Sequence, residues 1–192
     1  MAIEIELKAW VENPQELEKK LSQLGVYKFS FEKDDIFYRS VKPNQNTAGI
    51  SDYGVRIRNE KTGEPNGISK ETCIVTRKTK SIRNSIEVNN EIEFEASSGM
   101  IFEEFIKDLG FEKYAGKCKK GKSFDYKGMT AELSLVENLG WFIELEIIAE
   151  DEKPTEQHRK KLLDFLDKLG VPSGSIECRN YTEMLTSDMN RG

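Results

Sequence analysis

The sequence predicts an α+β fold with about eight mainly antiparallel strands and three to four helices. A Glu-x-Glu strand occurs three times, at residues 4–6, 91–93 and 144–146, and each time a helix-like stretch follows that ends in Leu-Gly. Because side chains alternate along a strand, both glutamates of each copy share one face and the apolar residues share the other. Several such faces brought together repel one another, so they need cations to hold them.

The first two elements have clear boundaries. Alternating residues predict a strand over about residues 2–11, and Asn13-Pro14 begins a helix with proline at its first position. Leu17, Leu21 and Leu24 form the apolar stripe of this helix, and Gly25 ends it.

The remaining elements follow from alternation, turn residues and helix caps. Residues 43–52 have the composition of a loop, residues 62–67 form a hairpin turn, and Ser97 or Ser98 caps a helix. Its expected apolar face consists of Ile101, Phe102, Phe105, Ile106 and Leu109. Further strands are predicted near 28–39, 53–59, 71–79, 86–96, 111–126, 129–137 and 141–150, and further helices near 155–169 and 179–186.

Length and charge narrow the class of protein. The 192 residues contain no linker or low-complexity tract, so we expect residues 1–192 to form a single domain. A net charge of −5 argues against a DNA- or RNA-binding protein, and the apolar runs are too short for a membrane span. Three cysteines without a C-x-x-C pair, and an N-terminus unlike a signal peptide, indicate a reduced, cytoplasmic protein. The oligomeric state stays open, and a homodimer is allowed.

Several familiar catalytic arrangements are excluded. The single histidine, His158, lies in a charged segment typical of a solvated helix face, which argues against a Ser-His-Asp or Cys-His mechanism. The chain has neither a G-x-x-x-x-G-K-[ST] loop nor a G-x-G-x-x-G motif. Any phosphate chemistry would therefore depend on side-chain cations and metal ions.

The ionic faces of the strands allow two architectures. In an ordinary antiparallel sheet, the ionic face meets water and the apolar face packs on helices. Several of these faces are purely acidic or purely basic, however, as with Arg56 and Arg58, whereas surface strands usually intersperse signs. The alternative is a closed barrel with helices over an apolar outside and an ionic interior, where charges must be paired or metal-bound.

The motifs resemble those of the CYTH superfamily, also called triphosphate tunnel metalloenzymes. Seven similarities occur in the family's order over nearly the whole chain. They are Glu4-Ile5-Glu6-Leu7-Lys8, Asp35 to Tyr38, Val55-Arg56-Ile57-Arg58, Val75 to Lys78, Glu91-Ile92-Glu93, Leu133 to Glu146 and Asn180 to Leu185.

This resemblance implies an eight-stranded antiparallel β-barrel, or tunnel, with a polar interior and helices packed on its outside. Such a tunnel binds a triphosphate group with one or two divalent metals, Mg²⁺ or Mn²⁺. By position, Glu4, Glu6, Glu144 and Glu146 would hold the metal, and Glu91, Glu93 and Ser134 would give support. Lys8, Arg56, Arg58, Lys78 and Lys120 would hold phosphate, and Glu4, Glu6 and Lys8 would act in catalysis.

The chain departs from the family pattern at three places. Asn89 stands where the family often has arginine, and Ser134 stands where it has aspartate, which removes one metal ligand. A lysine-rich segment, 117–122, replaces the K-x-R strand. Lysine is a point charge rather than a bidentate donor, and the alternation of this segment is ambiguous, so the choice of Lys120 for the tunnel is an expectation.

Three functions share these residues. The resemblance favours a class IV adenylyl cyclase, which converts ATP into cyclic AMP and pyrophosphate. The alternatives are a triphosphatase acting on tripolyphosphate or thiamine triphosphate, and a protein that binds nucleotides or polyphosphate without turnover.

Overall fold

Eight antiparallel strands form a closed barrel in the computed structural model, which describes residues 2–41, 54–83, 85–149 and 156–189. The strands neighbour one another in the order β1-β5-β4-β3-β2-β6-β7-β8, and β8 pairs with β1 to close the barrel. They are β1 (Ala2–Trp10), β2 (Val26–Ser40), β3 (Gly54–Gly63), β4 (Ser69–Arg83), β5 (Ile86–Glu95), β6 (Phe111–Tyr126), β7 (Met129–Val136) and β8 (Gly140–Ala149). The predicted eight-stranded antiparallel barrel is confirmed.

Four helices accompany the barrel in the described residues: α1 (Pro14–Leu24), α2 (Gly99–Asp108), α3 (Glu156–Leu169) and α4 (Tyr181–Met189). The Asn13 side chain caps α1 by accepting from the Glu16 amide at 3.3 Å, and Ser98 caps α2 by accepting from the Ile101 amide at 3.3 Å. Both caps agree with the sequence, because a short polar side chain satisfies an otherwise unpaired amide of the first turn. The loop predicted over 43–52 lies outside the described residues.

The apolar core lies outside the barrel wall. Ile5 and Leu7 of β1 point outward and are fully buried in a cluster with Leu17 and Leu21 of α1. Leu162, Phe165 and Leu166 of α3 belong to the same cluster. Each fully buried side chain of this kind stabilises the fold by about 2 kcal/mol. Since the apolar faces turn outward under helices, the ionic faces must turn inward, and the ordinary sheet with a solvated ionic face is ruled out.

Helix α2 packs less completely than the sequence predicts. Of its expected apolar face only Ile106 is buried, in a small cluster with Tyr38 and Ile57, and Phe102 packs partly against it. Ile101, Phe105 and Leu109 are exposed, so the prediction of a buried face was wrong for these three residues. They lie on the parts of the helix surface that the barrel does not reach.

An aromatic plug closes one end of the barrel. Trp10 and Phe142 share the inner face, with ring centroids 4.1 Å apart, and the Tyr181 ring of α4 packs edge-on against Phe142 at 5.0 Å. Val136 and Met184 complete this cluster. The C-terminal helix therefore seals the interior on this side.

Candidate functional site

Ionic side chains from all eight strands line the inside of the barrel, called the tunnel here. They alternate with the outward apolar residues, as the register of the strand pairs requires. The lining cations are Lys8, Lys33, Arg56, Arg58, Lys78, Lys117 and Lys119; the carboxylates are Glu4, Glu6, Asp35, Glu60, Glu87, Glu91, Glu93, Glu132, Glu144 and Glu146. Carboxylates outnumber cations in this described lining, so positive charge is in deficit.

The cations nevertheless concentrate on one side of the tunnel. Arg58 donates from Nε and Nη2 to the two oxygens of Asp35, at 2.6 and 3.0 Å, and Lys117 Nζ lies 2.9 Å from the same carboxylate. Asp35 is fully buried, which would raise its pKa, but Lys117 and Arg58 hold that pKa well below its usual range. One carboxylate thus faces two cations at this point of the tunnel wall.

Lys117 is the most strongly affected of these cations. Burial lowers the pKa of Lys117 to about 8, and the nearby charges of Lys119 and Arg58 act in the same direction against the attraction of Asp35. An ammonium held under such repulsion gains from an additional anion. The site therefore favours a polyanion beside Lys117.

A second ion-pair network adjoins the first. Lys33 Nζ lies 2.8 Å from Glu132, Lys119 Nζ lies 3.0 Å from the other oxygen of Glu132, and Lys119 also donates to Glu144. Burial would raise the pKa of Glu144, but Lys119 and Lys117 hold it below its usual range. The charge of Glu144 is therefore already balanced by lysines.

Lys8 lies deepest, next to the plug. Its ammonium is 2.7 Å from Glu87 and 5.3 Å from the centroid of the Tyr181 ring, and the Lys117 ammonium is 4.9 Å from the same ring. An aromatic face favours a nearby cation. Tyr181 therefore holds two tunnel lysines at the closed end.

Three carboxylates, Glu4, Glu6 and Glu146, form an acidic cluster with too little positive charge. Burial raises the pKa of Glu4 to about 8, and the neighbouring charges of Glu146 and Glu91 add to this. Burial raises the pKa of Glu146 to about 7, with Glu6 adding, and it also raises the pKa of Glu6. Such shifts arise when like charges share a site without enough counter-charge.

Lys78 is the cation that this cluster shares. Its ammonium lies 3.7 Å from Glu4, 3.7 Å from Glu6 and 2.6 Å from Glu91. Burial alone would lower the pKa of Lys78, but these carboxylates outweigh it and raise that pKa. The Lys78 ammonium therefore supplies positive charge to the carboxylates that would hold a metal ion.

The donor set fits a hard divalent cation. In the described residues no three Asp, Glu, His or Cys side chains enclose a metal position as they stand, because the Lys78 ammonium lies between the carboxylates. Carboxylate oxygens are the ligands that Mg²⁺ and Mn²⁺ prefer. Among the same described residues, Asn89 Oδ1 is a buried acceptor without a hydrogen-bond partner, and Asn89 lies opposite Glu4 in the sheet. Ser134 Oγ is also buried without a partner, but Ser134 pairs with Phe142 at the plug end and so lies away from this cluster. Glu4, Glu6 and Glu146, with Asn89 Oδ1 as a neutral oxygen nearby, therefore match such an ion.

Most residues predicted for the site lie in the tunnel. The structure brings together Glu4, Glu6, Lys8, Arg56, Arg58, Lys78, Glu91, Glu93, Ser134, Glu144 and Glu146. Both glutamates of the central Glu-x-Glu strand form salt bridges, since Glu93 pairs with Arg56 at 2.9 Å and Glu91 pairs with Lys78.

Lys120 does not lie in the tunnel, and its choice was wrong. It is exposed on the outer face of β6, whereas its neighbour Lys119 points inward and is buried. The signal was present in the sequence: Lys120, Lys122 and Phe124 share one face of β6, and Phe124 is buried. Since apolar residues of this barrel face outward, the two lysines on the Phe124 face must also face outward.

Sequence reasoning missed seven further tunnel residues: Lys33, Asp35, Glu60, Glu87, Lys117, Lys119 and Glu132. Asp35 and Glu87 could have been found, because each alternates with an outward apolar neighbour, Ile36 or Ile86. Lys33 has no such signal, since both of its neighbours, Glu32 and Asp34, are charged. The partners of these residues could not have been predicted from the sequence, because an ion pair between distant strands depends on how the barrel closes.

Comparisons with known proteins agree with this architecture. A sequence model of the CYTH domain matches residues 2–181. A Methanocaldococcus jannaschii protein, provisionally named an adenylate cyclase, is 24% identical over 184 residues, covering 95% of this chain and 98% of the relative.

Two solved structures show the same fold. A Pyrococcus horikoshii protein superimposes with a TM-score of 0.82 at 27% identity, over 96% of this chain and 99% of that one. A Hippeastrum protein named as an adenylyl cyclase candidate, for which a dominant triphosphatase activity is described, gives a TM-score of 0.60 at 16% identity, over 99% and 96%. From the family match over nearly its whole length and from its ionic tunnel, we conclude that this chain belongs to the CYTH domain family.

Proposed function

We propose that this protein is a divalent-metal-dependent enzyme that acts on a triphosphate-bearing substrate, with conversion of ATP into cyclic AMP and pyrophosphate as its first candidate reaction. The observation that carries the proposal is the division of charge inside a closed barrel. Arg58 and Lys117 converge on a single carboxylate, Asp35, on one side, and the acidic cluster lies on the other. A polyanion accompanied by a metal cation is complementary to both.

The exposure of the side chains along the tunnel supports one direction of entry for the substrate. The exposed fraction is 33% for the Lys78 side chain and 18% for Glu4, but only 7% for Lys117 and 3% for Lys8. The aromatic plug covers the Lys8 end. The phosphate chain would enter past the acidic cluster with its terminal phosphate first, and the nucleoside would stay toward the accessible side.

In this orientation the deep cations would hold the leaving pyrophosphate. Lys117, Lys119 and Lys8 would offer charged donors to the β- and γ-phosphate oxygens, and Arg58 would add its positive charge while its Nε and Nη2 atoms hold Asp35. These cations stabilise the negative charge that develops on the leaving group as the bond to the α-phosphorus breaks. The ribose 3′-hydroxyl attacks that phosphorus in a cyclase.

Glu4, Glu6 and Glu146 would hold Mg²⁺ or Mn²⁺ on the accessible side. Such an ion supplies positive charge at the phosphate oxygens and lowers the pKa of a coordinated hydroxyl group or water. Lys78 would leave the carboxylates and turn its ammonium toward phosphate. Glu144, whose charge is balanced by Lys119, would support the site by holding that lysine in place.

A triphosphatase is the second candidate. The Hippeastrum protein shares the fold and is described as mainly a triphosphatase in spite of its cyclase name. The same cations would then stabilise a terminal phosphate attacked by water, and tripolyphosphate or thiamine triphosphate would replace ATP. The two reactions differ in which phosphorus lies beside the acidic cluster.

The test is a product assay with the purified protein. ATP, tripolyphosphate and thiamine triphosphate are each incubated with Mg²⁺ or Mn²⁺, and cyclic AMP, pyrophosphate and orthophosphate are quantified. Cyclic AMP with equimolar pyrophosphate supports the cyclase, and orthophosphate from tripolyphosphate supports the triphosphatase. If the protein binds these substrates but forms no product from any of them, the remaining function is binding of nucleotides or polyphosphate without turnover.

A matched pair of variants links the product to the tunnel. Glu4→Gln removes a carboxylate of the acidic cluster, and we expect turnover to fall by about 100-fold or more. Glu71→Gln removes an exposed carboxylate outside the tunnel and should leave turnover unchanged. Equal activity of both variants would contradict the proposed site.

A further inference from the structure

Asp35 lies between two tunnel cations, and the proposed reaction gives this carboxylate no task. The strand register places it directly opposite Arg58 of β3 on one side and Lys117 of β6 on the other. Its two oxygens accept from Arg58 Nε and Nη2 at 2.6 and 3.0 Å, and one of them lies 2.9 Å from Lys117 Nζ. The Asp35 side chain has no exposed surface, so water does not compete for these contacts.

The surroundings of Asp35 differ from those of the acidic cluster. Glu4 and Glu6 share the ammonium of Lys78, and their pKa values are raised. Asp35 contacts both a guanidinium and an ammonium, and these hold its pKa well below the usual range. Asp35 therefore stays negatively charged at neutral pH, and its oxygens are occupied by these two cations rather than open to a metal ion.

Before an anion binds, Asp35 stabilises the fold. The side chains of Arg58 and Lys117 are only 12% and 7% exposed. A buried cation without a counter-charge is costly, and removing one partner of a buried ion pair is strongly destabilising. Asp35 supplies a negative charge in direct contact with both cations, and so it lowers this cost.

A bound phosphate chain reverses the effect of Asp35. In the proposed function, Arg58 and Lys117 supply positive charge at the β- and γ-phosphate oxygens. The Asp35 carboxylate has the same sign of charge as those oxygens and competes with them for the same cations. Charges in a buried site are poorly screened, so this repulsion is stronger than it would be in water. The contact that stabilises the protein before binding therefore weakens binding, and weaker binding of pyrophosphate favours its release.

We propose that the Asp35 carboxylate is an internal competitor of the bound phosphate chain, which neutralises Arg58 and Lys117 before binding, weakens phosphate binding at these cations and speeds the release of pyrophosphate. The inference rests on the proposed function, because it requires a phosphate chain at this end of the tunnel. Asp35 acts through the two cations, so its role is to set affinity and not to take part in bond breaking.

Asp35→Asn tests the inference, because asparagine has the same shape and its amide oxygen still accepts from Arg58, but the negative charge is lost. We expect this variant to bind tripolyphosphate and pyrophosphate about tenfold more tightly than the wild type, because one repulsive charge is removed from a poorly screened site. Isothermal titration calorimetry with Mg²⁺ at pH 6 measures both affinities. Burial lowers the pKa of Lys117 to about 8, so its ammonium is charged at this pH.

Thermal unfolding of the same variant gives a second readout. The melting temperature of the ligand-free variant should fall, because Arg58 and Lys117 lose their counter-charge. Tripolyphosphate should then raise the melting temperature of the variant by more than it raises that of the wild type, since a tighter ligand stabilises more. Glu18→Gln is the matched control, because it removes a carboxylate that pairs with Lys122 on the outside of the barrel. Its tripolyphosphate affinity should equal that of the wild type.

A second pair of variants applies the same test if Asp35→Asn alone does not fold. Lys117→Met leaves Asp35 paired with Arg58, and the double variant with Asp35→Asn and Lys117→Met restores the net charge that these three side chains have in the wild type. We expect the double variant to bind tripolyphosphate more tightly than Lys117→Met, because it again lacks the competing carboxylate.

The outcomes separate this inference from the proposed function. If the wild-type protein binds tripolyphosphate but loss of the Asp35 charge leaves binding equal or weaker in either background, the inference is overturned and the proposed function stands. Asp35 would then only hold Arg58 and Lys117 in place. A wild-type protein that does not bind tripolyphosphate would overturn both.

Discussion

Lys119 and Lys120 show how far the surroundings of one side chain decide its role. They are adjacent on β6, yet Lys119 is buried between Glu132 and Glu144, whereas Lys120 is exposed on the outer face. Inside the tunnel, an ammonium is close to other charges and poorly screened by water. Only Lys119 can contribute its charge to a bound polyanion.

We predict that Lys119→Met lowers tripolyphosphate affinity by about 100-fold and that Lys120→Met changes it less than about twofold. Isothermal titration calorimetry in the presence of Mg²⁺ measures both. Because Lys119→Met leaves two carboxylates with fewer partners, its melting temperature is recorded as well. An equal loss in the two variants would contradict the assignment of Lys119 to the tunnel.

In the proposed function, a metal ion and the Lys78 ammonium compete for the same carboxylates, Glu4 and Glu6. We predict that Lys78→Met binds Mn²⁺ about tenfold more tightly without substrate, because removing one positive charge leaves Glu4 and Glu6 more attractive to a cation. Electron paramagnetic resonance of free Mn²⁺ at pH 8 measures this. Lys61→Met, which removes an exposed lysine paired with Glu71, is the control. Unchanged or weaker Mn²⁺ binding by Lys78→Met would show that the Lys78 ammonium does not compete with a metal ion for Glu4 and Glu6.

Strand β6 contains a position, Gly121, at which only glycine fits against the neighbouring strand. A Cβ atom at Gly121 would lie 2.2 Å from the Leu133 carbonyl oxygen and 2.7 Å from Ser134 Cα, both on the neighbouring strand β7. Backbone cannot move aside as a flexible side chain can, so only glycine allows β6 and β7 to approach this closely. The approach places Lys119 and Ser134 in the same part of the tunnel.

We therefore expect Gly121→Ala to lower the free energy of unfolding by about 2 kcal/mol or more, as overpacking does in a close-packed interior. Gly116→Ala is a matched control on the same strand, because its Cβ would meet nothing closer than 3.8 Å. Urea denaturation of the two variants gives the difference. A Gly121→Ala variant as stable as Gly116→Ala would show that the strands can separate at little cost.

Buried carboxylates lie close together in the tunnel, and their repulsion makes the stability of the whole molecule depend on pH. Folding raises the pKa of Glu4 from 4.5 to about 8 and that of Glu146 to about 7. Between the ordinary pKa of 4.5 and these raised pKa values, Glu4 and Glu146 stay protonated in the folded protein but are deprotonated in the unfolded chain. Since stability falls with rising pH wherever the folded state binds more protons, these groups oppose folding increasingly from about pH 5 to pH 8.

We predict that the metal-free protein loses stability over this range and that Mn²⁺ restores it more at pH 8 than at pH 5.5. Urea denaturation at each pH, with and without Mn²⁺, measures the effect. The double variant with Glu4→Gln and Glu146→Gln should show a flatter pH dependence and little response to Mn²⁺. A wild-type protein that is more stable at pH 8 without metal would contradict the acidic cluster described above.

The sequence determined the elements, because alternation and caps are local. The period of two along Ile3 to Ala9 identified both faces of β1, and Asn13 and Ser98 marked the starts of two helices. Motif order over nearly the whole chain added the barrel and most of its charged lining. Within the described residues no helix has the length and apolar character to cross a membrane.

Only the tertiary structure decided which charges meet. Asp35 and Lys117 lie on different strands, as do Lys78 and Glu4, and their contacts depend on the closure of the barrel and its stagger. The inward position of Lys119, the plug of α4 and the exposure of α2 likewise depend on packing between distant segments. Local sequence patterns specify the face of a residue, whereas the electrostatics of a site depend on distances between strands, which only the folded chain establishes.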